Sequence, residues 1–174
     1  MNKAIFLDRD GTINVDYGYV YKIEDLKFID GVIEALQILS SLGYKLIIIT
    51  NQSGIGRAFY SEEEFLKFNE YMLKLLKDNN ITIDGVYYCP HGPSDDCNCR
   101  KPKLKLFYDA IKDFNIDTNN SFVIGDKERD LSICEVENVK GILLTNDAKN
   151  KYIYKKSLLE AAKYIKECNG CDKK

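Results

Sequence analysis

Two carboxylates, two positions apart, end the first apolar segment of the chain. Residues 4–7 are apolar and long enough for one buried strand, and Asp8 and Asp10 follow them directly before Gly11. Residues at i and i+2 of a strand point to the same side, so both acids are expected to face one cleft. Burying two like charges is costly unless a ligand uses them, and a solvated turn is the simpler alternative for an isolated D-x-D-G segment.

A second group of residues has the spacing of a metal site. Cys89 and His91 are followed by Cys97 and Cys99, and the segment between the two pairs consists of turn-forming residues. Four such ligands close around one tetrahedral ion, and a site without an open position is structural. The sequence therefore predicts a zinc-binding loop over residues 89–101. The alternative is a set of three thiols beside a histidine with no metal.

The remaining cysteines carry weaker signals. Cys134 is interpreted as a packed thiol of the core. Cys168 and Cys171 belong to a polar tail predicted from about residue 168, and we interpret them as an incidental pair rather than a second zinc site. Because disulfides are rare in reducing compartments, the six cysteines are expected to be thiols or metal ligands.

The pattern around these groups alternates between strands and helices. Strands are predicted over residues 3–7, 44–49, 84–88, 121–124 and 141–144. Helices are predicted over residues 31–42, 61–77, 103–114 and 157–167, with a short one after residue 130. This alternation predicts a single α/β domain over residues 1–174, a Rossmann-like three-layer sandwich around a mainly parallel sheet of five or more strands.

Polar residues follow four of the predicted strands. The carboxyl ends of parallel strands share one edge of a sheet, and ligands bind at that edge. We therefore expect these residues to converge on one cleft. In chain order they are Asp8 and Asp10, then Thr50, Asn51 and Gln52, then the segment 89–101, and finally Asp126.

Taken together, these motifs resemble the haloacid dehalogenase-like phosphatase superfamily over about residues 3–145. D-R-D-G-T corresponds to its first motif and I-I-I-T-N-Q to its second. R-K-P at 100–102 corresponds to the third motif, and I-G-D-K at 124–127 with Asp130 to the fourth. Because only a loop and one helix separate the first two motifs, no large cap domain is expected.

The resemblance implies hydrolysis of a phosphomonoester through an aspartyl-phosphate. It implies that Asp8 attacks phosphorus and that Asp10 protonates the leaving alcohol and then activates water. It also implies a magnesium ion held by Asp8, Asp126 and the backbone carbonyl of Asp10. Lys101 and Thr50 complete the implied catalytic set by stabilising the phosphoryl oxygens.

The same resemblance supplies the candidate substrate-binding residues. Asn51 is expected to hold phosphoryl oxygens through its backbone N–H, with Gln52 beside it. Arg100 is expected to grip an anionic or hydroxyl-rich group of the substrate. Lys127 is a further candidate for substrate binding, although ion pairing that supports its loop, shared with Asp130, is the preferred interpretation.

Within the superfamily, two phosphatase families share these motifs. The first motif with its continuation to Val20, and T-N-Q-S-G-I-G-R, resemble the D-glycero-D-manno-heptose 1,7-bisphosphate 7-phosphatases, which the sequence favours. The zinc loop is closer to that of the histidinol-phosphate phosphatases, because Leu104 stands where the heptose enzymes commonly have a second proline. A tyrosine-rich loop over residues 15–30 is expected to frame the substrate, or merely to cover the edge of the sheet.

Composition gives no support for a nucleic-acid-binding or membrane protein. The net charge is -2, with 30% charged residues, which gives no reason to expect a nucleic-acid or membrane partner. No signal peptide or membrane span is recognised, and a cytoplasmic monomer acting on a small phosphorylated metabolite is expected.

Two non-enzymatic alternatives fit less well. A phospho-acceptor receiver domain would carry its aspartate after the third strand, where this chain has Cys89. A non-catalytic, zinc-stabilised phosphate-binding module predicts loss of Asp8, Asp10 or Asp126, and all three are present.

Overall fold

Six parallel strands form the centre of the molecule. The computed structural model describes residues 1–147 and 151–171. The sheet has the order β3-β2-β1-β4-β5-β6, so the amino-terminal strand lies in its middle. The strands are β1 (Ala4–Leu7), β2 (Lys45–Asn51), β3 (Gly85–Cys89), β4 (Phe122–Gly125), β5 (Lys140–Leu144) and β6 (Ile153–Lys155).

Helices connect these strands on both faces of the sheet. They are α1 (Val32–Ser41), α2 (Ser53–Gly56), α3 (Glu62–Asp78), α4 (Lys105–Phe114) and α5 (Leu158–Cys171). Short 3-10 helices cover Ile23–Asp25, Thr118–Asn120 and Glu128–Glu135. In the part of the chain that the structure describes, no helix has both the length and the apolar character needed to cross a membrane.

The alternation of side chains along β1 separates two hydrophobic cores. Ile5 and Leu7 pack into the core beneath α1 and α5, whereas Ala4 and Phe6 pack into the core on the α4 side. All four side chains are fully buried, as expected for a strand covered on both faces. The predicted three-layer α/β sandwich without a large cap domain is confirmed.

Local sequence signals explain why α3 begins where it does. The Ser61 hydroxyl accepts a hydrogen bond from the Glu64 backbone N–H at 3.1 Å, and the Glu64 carboxylate accepts one from the Ser61 N–H at 2.7 Å. This reciprocal pair satisfies two backbone donors that would otherwise be unpaired at the helix start. The predicted helix start is therefore explained by its capping residues.

Several elements differ from the sequence prediction. α2 and the 3-10 helices over Ile23–Asp25 and Thr118–Asn120 were not predicted, because three or four residues are too few to show a periodic pattern. β6 was not predicted, because three half-buried residues are too few to show a periodic pattern. The short helix expected after Asp130 is a 3-10 helix that already begins at Glu128. The helix predicted to end near residue 167 continues to Cys171, so the segment predicted as a tail from about 168 is helical up to that point.

Side-chain contacts explain the longer carboxyl-terminal helix. The Asn169 amide donates to the Ile165 carbonyl at 2.8 Å and to the Tyr44 hydroxyl at 3.0 Å. These bonds hold the last turn of α5 against the start of β2. The predicted pairing state of Cys168 with Cys171 lies outside the described residues, because only the backbone of Cys171 is described.

Candidate active site

Lys101 lies between two buried carboxylates at the carboxyl end of the sheet. Its Nζ donates to Asp8 Oδ1 at 2.7 Å and to the Ile49 carbonyl at 2.7 Å, and lies 2.8 Å from Asp130 Oδ1. All three charged side chains are buried. The three N–H bonds of the ammonium group therefore each have an acceptor, and the lysine is fixed beside the predicted nucleophile.

The buried charges shift the pKa values of these groups. Burial, together with the Asp130 and Asp10 carboxylates, raises the pKa of Asp8 to about 7, while Lys101 opposes the shift. Burial also opposes the charged form of Lys101, but the two carboxylates beside it hold its pKa above the ordinary value. Burial likewise raises the pKa of Asp126. The pKa values of Asp8 and Asp126 are therefore raised although lysines lie beside both carboxyls, which favours a further cation.

Three carboxylates offer oxygens for such a cation. One oxygen each of Asp8, Asp126 and Asp130 lies within 4.8 Å of the others. Asp126 Oδ1 is buried and has no hydrogen-bond partner among the described residues. Carboxylate oxygens are the ligands that magnesium prefers, so the residues present fit this ion.

Gly11 allows the first motif to pass close to Asp126. A Cβ at this position would lie 2.5 Å from Asp126 Oδ2, and the glycine has a φ of +85°, in the left-handed region. Any side chain would push Asp126 away from Asp8. The glycine of D-R-D-G-T is therefore required by the close approach of the two carboxylates.

The two acids of the first motif have different surroundings. Asp10 is 19% exposed, and its Oδ1 accepts from Arg9 Nη2 at 2.7 Å and from Asn14 Nδ2 at 2.9 Å. Its Oδ2 accepts from Gln52 Nε2 at 3.0 Å. Asp8 thus faces a buried lysine, whereas Asp10 is held by donors at the wall of the cleft.

Arg9 was not predicted as part of the site. Its side chain is fully buried, and its guanidinium carbon lies 4.8 Å from the Phe68 ring centroid and 5.6 Å from that of Phe65. Its Nη2 also donates to the Val20 carbonyl at 2.7 Å. The position of an arginine between two acids was the only sequence signal for a role of Arg9 in the site. The two rings that enclose its side chain belong to α3, far along the chain, so its burial could not be predicted. Arg9 therefore positions Asp10 from inside the core.

Residues at the end of β2 connect the site to the predicted zinc loop. The Asn51 amide donates to the Lys101 carbonyl at 3.1 Å and accepts from the Lys101 N–H at 2.9 Å. This side chain therefore fixes the backbone of Lys101, in addition to the backbone role predicted for Asn51. Thr50 is buried beside it, and Gln52 Nε2 donates to the Thr50 hydroxyl at 2.9 Å.

Lys127 forms ion pairs, as its loop-supporting interpretation predicts. Its Nζ lies 3.4 Å from Asp126 Oδ2 and 3.5 Å from Asp16 Oδ2. The backbone N–H of Lys127 donates to Asp130 Oδ2 at 3.1 Å. Asp130 therefore pairs with Lys101 through Oδ1 and accepts from the backbone of its own loop through Oδ2.

These residues surround a cavity of about 190 Å³. Arg100 is not among its lining residues, because the guanidinium turns to the His91 carbonyl, with Nη1 at 3.3 Å. Tyr60, Ser53 and Arg129 also line the cavity and were not predicted as site residues, although Ser53 lies within the motif T-N-Q-S-G-I-G-R. The predicted residues that line the cavity are Asp8, Asp10, Thr50, Asn51, Gln52, Lys101 and Lys127.

The predicted zinc ligands come together in one cluster. Cys89 Sγ lies 3.2 Å from Cys99 Sγ and 3.8 Å from Cys97 Sγ, and His91 Nδ1 lies 3.3 Å from Cys99 Sγ. Zinc–sulfur bonds of about 2.3 Å in a tetrahedron place sulfur atoms about 3.8 Å apart, close to these values. Burial raises the pKa of Cys89 to about 12, so a divalent ion is what would favour its thiolate. The four residues fit zinc.

Comparison with known proteins shows which families this chain is similar to. The family described as "Polynucleotide kinase 3 phosphatase" matches residues 3–152. D-glycero-beta-D-manno-heptose-1,7-bisphosphate 7-phosphatase of Pasteurella multocida (strain Pm70) is 48% identical over 155 residues, covering 86% of this chain and 84% of that protein. The protein of the same name from Helicobacter pylori (strain J99) is 45% identical over 170 residues, covering 95% and 98%.

Solved structures share the fold. D,D-heptose 1,7-bisphosphate phosphatase from B. bronchiseptica, complexed with magnesium and phosphate, superposes with a TM-score of 0.87 at 24% identity over 95% of this chain and 98% of that one. The corresponding enzyme from Burkholderia thailandensis has a TM-score of 0.69 at 25% identity, covering 94% and 98%.

The sheet, the carboxylate pair and the buried lysine define a haloacid dehalogenase-like phosphatase. With the similarity of the whole domain to curated relatives, the chain belongs to the family of the D-glycero-beta-D-manno-heptose-1,7-bisphosphate 7-phosphatases.

Proposed function

We propose that this chain is a magnesium-dependent phosphomonoester hydrolase that removes the 7-phosphate of D-glycero-beta-D-manno-heptose 1,7-bisphosphate, in the synthesis of nucleotide-activated heptose. The observation that carries the reaction class is the contact between Lys101 and Asp8 in a cavity that Asp10 also lines. The substrate is supported by the names of relatives that match most of the chain.

The two acids of the first motif divide the chemistry. An Asp8 oxygen attacks phosphorus and forms an aspartyl-phosphate while the bond from phosphorus to the sugar oxygen breaks. Asp10 gives its proton to that oxygen and then takes one from the water that attacks the aspartyl-phosphate, releasing inorganic phosphate. The contact of Asp8 with Lys101 supports the nucleophilic role, because the ammonium group favours the ionised form of that carboxyl.

Charge stabilisation is the main task of the surrounding residues. A carboxylate that approaches a phosphate dianion at 4 Å is opposed by about 8 kcal/mol at an effective dielectric constant near 20. Lys101 offsets part of this repulsion, and the Thr50 hydroxyl and the Asn51 N–H hold phosphoryl oxygens.

The residues that would hold magnesium are Asp8, Asp126 and the backbone carbonyl of Asp10. Asp130 is the remaining carboxylate of the cluster, but both of its oxygens are already used, by Lys101 and by the Lys127 N–H. We therefore assign Asp130 to positioning Lys101 rather than to metal binding. When bound, magnesium supplies positive charge that stabilises the phosphoryl oxygens in the transition state.

A structural zinc ion in the loop 89–101 is the second metal of the proposal. The four ligand atoms lie within 4.8 Å of one another, and the chain continues directly from Cys99 to Lys101. A fixed loop would hold the lysine at Asp8, because the Lys101 backbone is also clamped by the Asn51 amide.

We expect the purified protein to carry about one zinc per chain, because a tetrahedral Cys₃His site binds this ion tightly. The variant Cys99→Ser is expected to lose most of the zinc, to melt at a lower temperature and to lose order around residues 89–101. Elemental analysis, thermal unfolding and hydrogen exchange measure these effects. Cys134→Ser is the matched control and should keep its zinc, and an ordered loop without any metal would contradict the proposal.

A substrate comparison tests the proposed function directly. We expect magnesium-dependent phosphate release from the beta anomer of heptose 1,7-bisphosphate, with a kcat/KM about 100-fold or more above that for histidinol phosphate. The alpha anomer and a 3′-phosphorylated oligonucleotide complete the series. A preference for histidinol phosphate would show that histidinol phosphate, and not the heptose, is the substrate. Absence of phosphate release from all four compounds would favour a non-catalytic phosphate-binding module.

The remaining parts of the proposal concern the setting of the enzyme. We place it in the cytoplasm as a monomer that binds neither nucleic acid nor membranes. The described cysteines are not paired in disulfides, which supports a reducing compartment; they are Cys89, Cys97, Cys99, Cys134 and Cys168.

A further inference from the structure

We propose that Tyr60 and Gln52 form a positioning pair that sets the direction of proton transfer at Asp10 and of hydrogen-bond donation by Thr50. The inference rests on the proposed function, since it concerns the acid that protonates the leaving group. Neither residue needs to touch the substrate for this role.

The Gln52 amide contacts both groups at once. Its Nε2 donates to Asp10 Oδ2 at 3.0 Å and to Thr50 Oγ1 at 2.9 Å, so both amide hydrogens are used inside the protein. The side chain is 2% exposed, which leaves little of it for a substrate. The substrate-binding role predicted for Gln52 is thus replaced in this proposal by a positioning role.

Tyr60 determines which way the amide points. The Tyr60 hydroxyl lies 2.7 Å from Gln52 Oε1 and donates to it. A rotated amide would place its oxygen against the Asp10 carboxylate and its nitrogen against the hydroxyl that now donates. Because two acceptors facing each other repel, Asp10 disfavours the rotated amide, and the Tyr60 hydroxyl satisfies the buried Oε1 in the orientation in which the nitrogen faces Asp10 and Thr50.

Packing holds Tyr60 in place. Its ring is 5% exposed and stacks on Tyr21, with centroids 4.6 Å apart and planes inclined by 14°. A Cβ at Gly54 would lie 2.0 Å from the Tyr60 ring, so a glycine is needed for this approach. Burial raises the pKa of Tyr60 to about 12, which keeps the hydroxyl a donor near neutral pH.

The consequence for Asp10 follows from its contacts. Oδ1 accepts from Arg9 Nε, Arg9 Nη2 and Asn14 Nδ2, whereas Oδ2 accepts from Arg9 Nη2 and Gln52 Nε2. One hydrogen of Arg9 Nη2 goes to the Val20 carbonyl, and the other is shared between the two oxygens and lies nearer Oδ1, so Oδ2 keeps one lone pair to hold the transferred proton. Gln52 fixes the direction left open on that oxygen.

The consequence for Thr50 is similar. Its oxygen accepts from Gln52, so its own hydrogen must point away from the amide. The Thr50 hydroxyl is thereby kept as a donor for an oxygen in the cavity that it lines. One buried amide thus prepares two groups that act on different atoms of the substrate.

Leaving-group dependence separates this role from a merely structural one. A p-nitrophenolate ion departs without a proton, whereas the sugar oxygen needs one from Asp10. We expect Tyr60→Phe to slow release of the leaving group in a single turnover, measured with enzyme in excess, about tenfold for heptose 1,7-bisphosphate. For p-nitrophenyl phosphate the loss should be about threefold or less, because only the contribution of Thr50 is common to both substrates. Tyr87→Phe, which removes a hydroxyl hydrogen bond to Asp113 away from the cavity, should change neither rate by more than about twofold.

Asp10→Asn, measured with both substrates, distinguishes failure of this inference from failure of the proposed function. It should slow release of the sugar in the single turnover by about 100-fold or more, and release of p-nitrophenolate much less. If Asp10→Asn shows this difference while Tyr60→Phe slows both releases equally or neither, the positioning pair is refuted and the function stands. If Asp10→Asn slows both releases equally, Asp10 is not the acid, and the positioning pair fails together with the role proposed for Asp10. Absence of phosphate release from every substrate by the wild type is the separate result that overturns the proposed function.

Discussion

Asp8→Asn is expected to reduce magnesium-dependent phosphate release by about four orders of magnitude or more, because an amide cannot form the aspartyl-phosphate. The substitution keeps the shape of the side chain and removes a charge from a crowded acidic site. Asp8 is buried, and repulsion from the Asp130 carboxylate makes the ionised form of Asp8 still less favourable. The fold should therefore persist, with a melting temperature equal to or above that of the wild type.

Phosphate release and thermal unfolding measured on the same preparation check this expectation. Asp109→Asn is the matched control, because Asp109 pairs with Lys105 on α4 at a part-exposed position away from the cavity. It should retain full activity. Full magnesium-dependent activity in Asp8→Asn would show that the nucleophile has been assigned wrongly.

Lys101→Met is expected to have the largest effect on stability. The lysine is 2% exposed and neutralises two buried carboxylates, Asp8 and Asp130. Breaking a buried pair by removing one partner costs about 3–5 kcal/mol of unfolding free energy, because the remaining charge stays buried. Activity should fall about 1,000-fold, since the cation also stabilises the phosphoryl oxygens.

Denaturant unfolding of a double-variant cycle identifies the cause of this loss. Adding Asp130→Asn to Lys101→Met removes one of the stranded charges and should recover part of the stability, so the two changes are not additive. Lys105→Met removes a cation from a part-exposed pair and should cost about 1 kcal/mol or less. Equal losses for Lys101→Met and Lys105→Met would contradict the buried-charge argument.

The sequence predicted the elements that carry short, strongly patterned signals. The apolar runs of β1, β2 and β4 and their terminal polar residues were sufficient to place Asp8, Thr50 and Asp126 at one edge. The spacing of the cysteines and the histidine was sufficient to predict their cluster. In each case the signal is local, and the parallel topology supplies the convergence.

What the sequence did not show depends on contacts between distant segments. The enclosure of Arg9 by Phe68 and Phe65 requires α3 to cross the first motif, which no periodicity indicates. The hydrogen bond from Tyr60 to Gln52 joins a loop to the end of β2. Arg100 was expected at the substrate, but the nearby His91 carbonyl offers its guanidinium an acceptor away from the cavity.

The central position of β1 affects how the protein is made. β1 is synthesised before the other strands of the sheet, yet one of its two neighbours, β4, is among the later strands. The zinc-loop residues are close together along the chain, so they can gather around an ion while the sheet still lacks β4. The order of the chain therefore allows the loop 89–101 to form before the segment through Asp130 joins the sheet, and the cavity that Asp130 lines is complete only after that segment has folded into place.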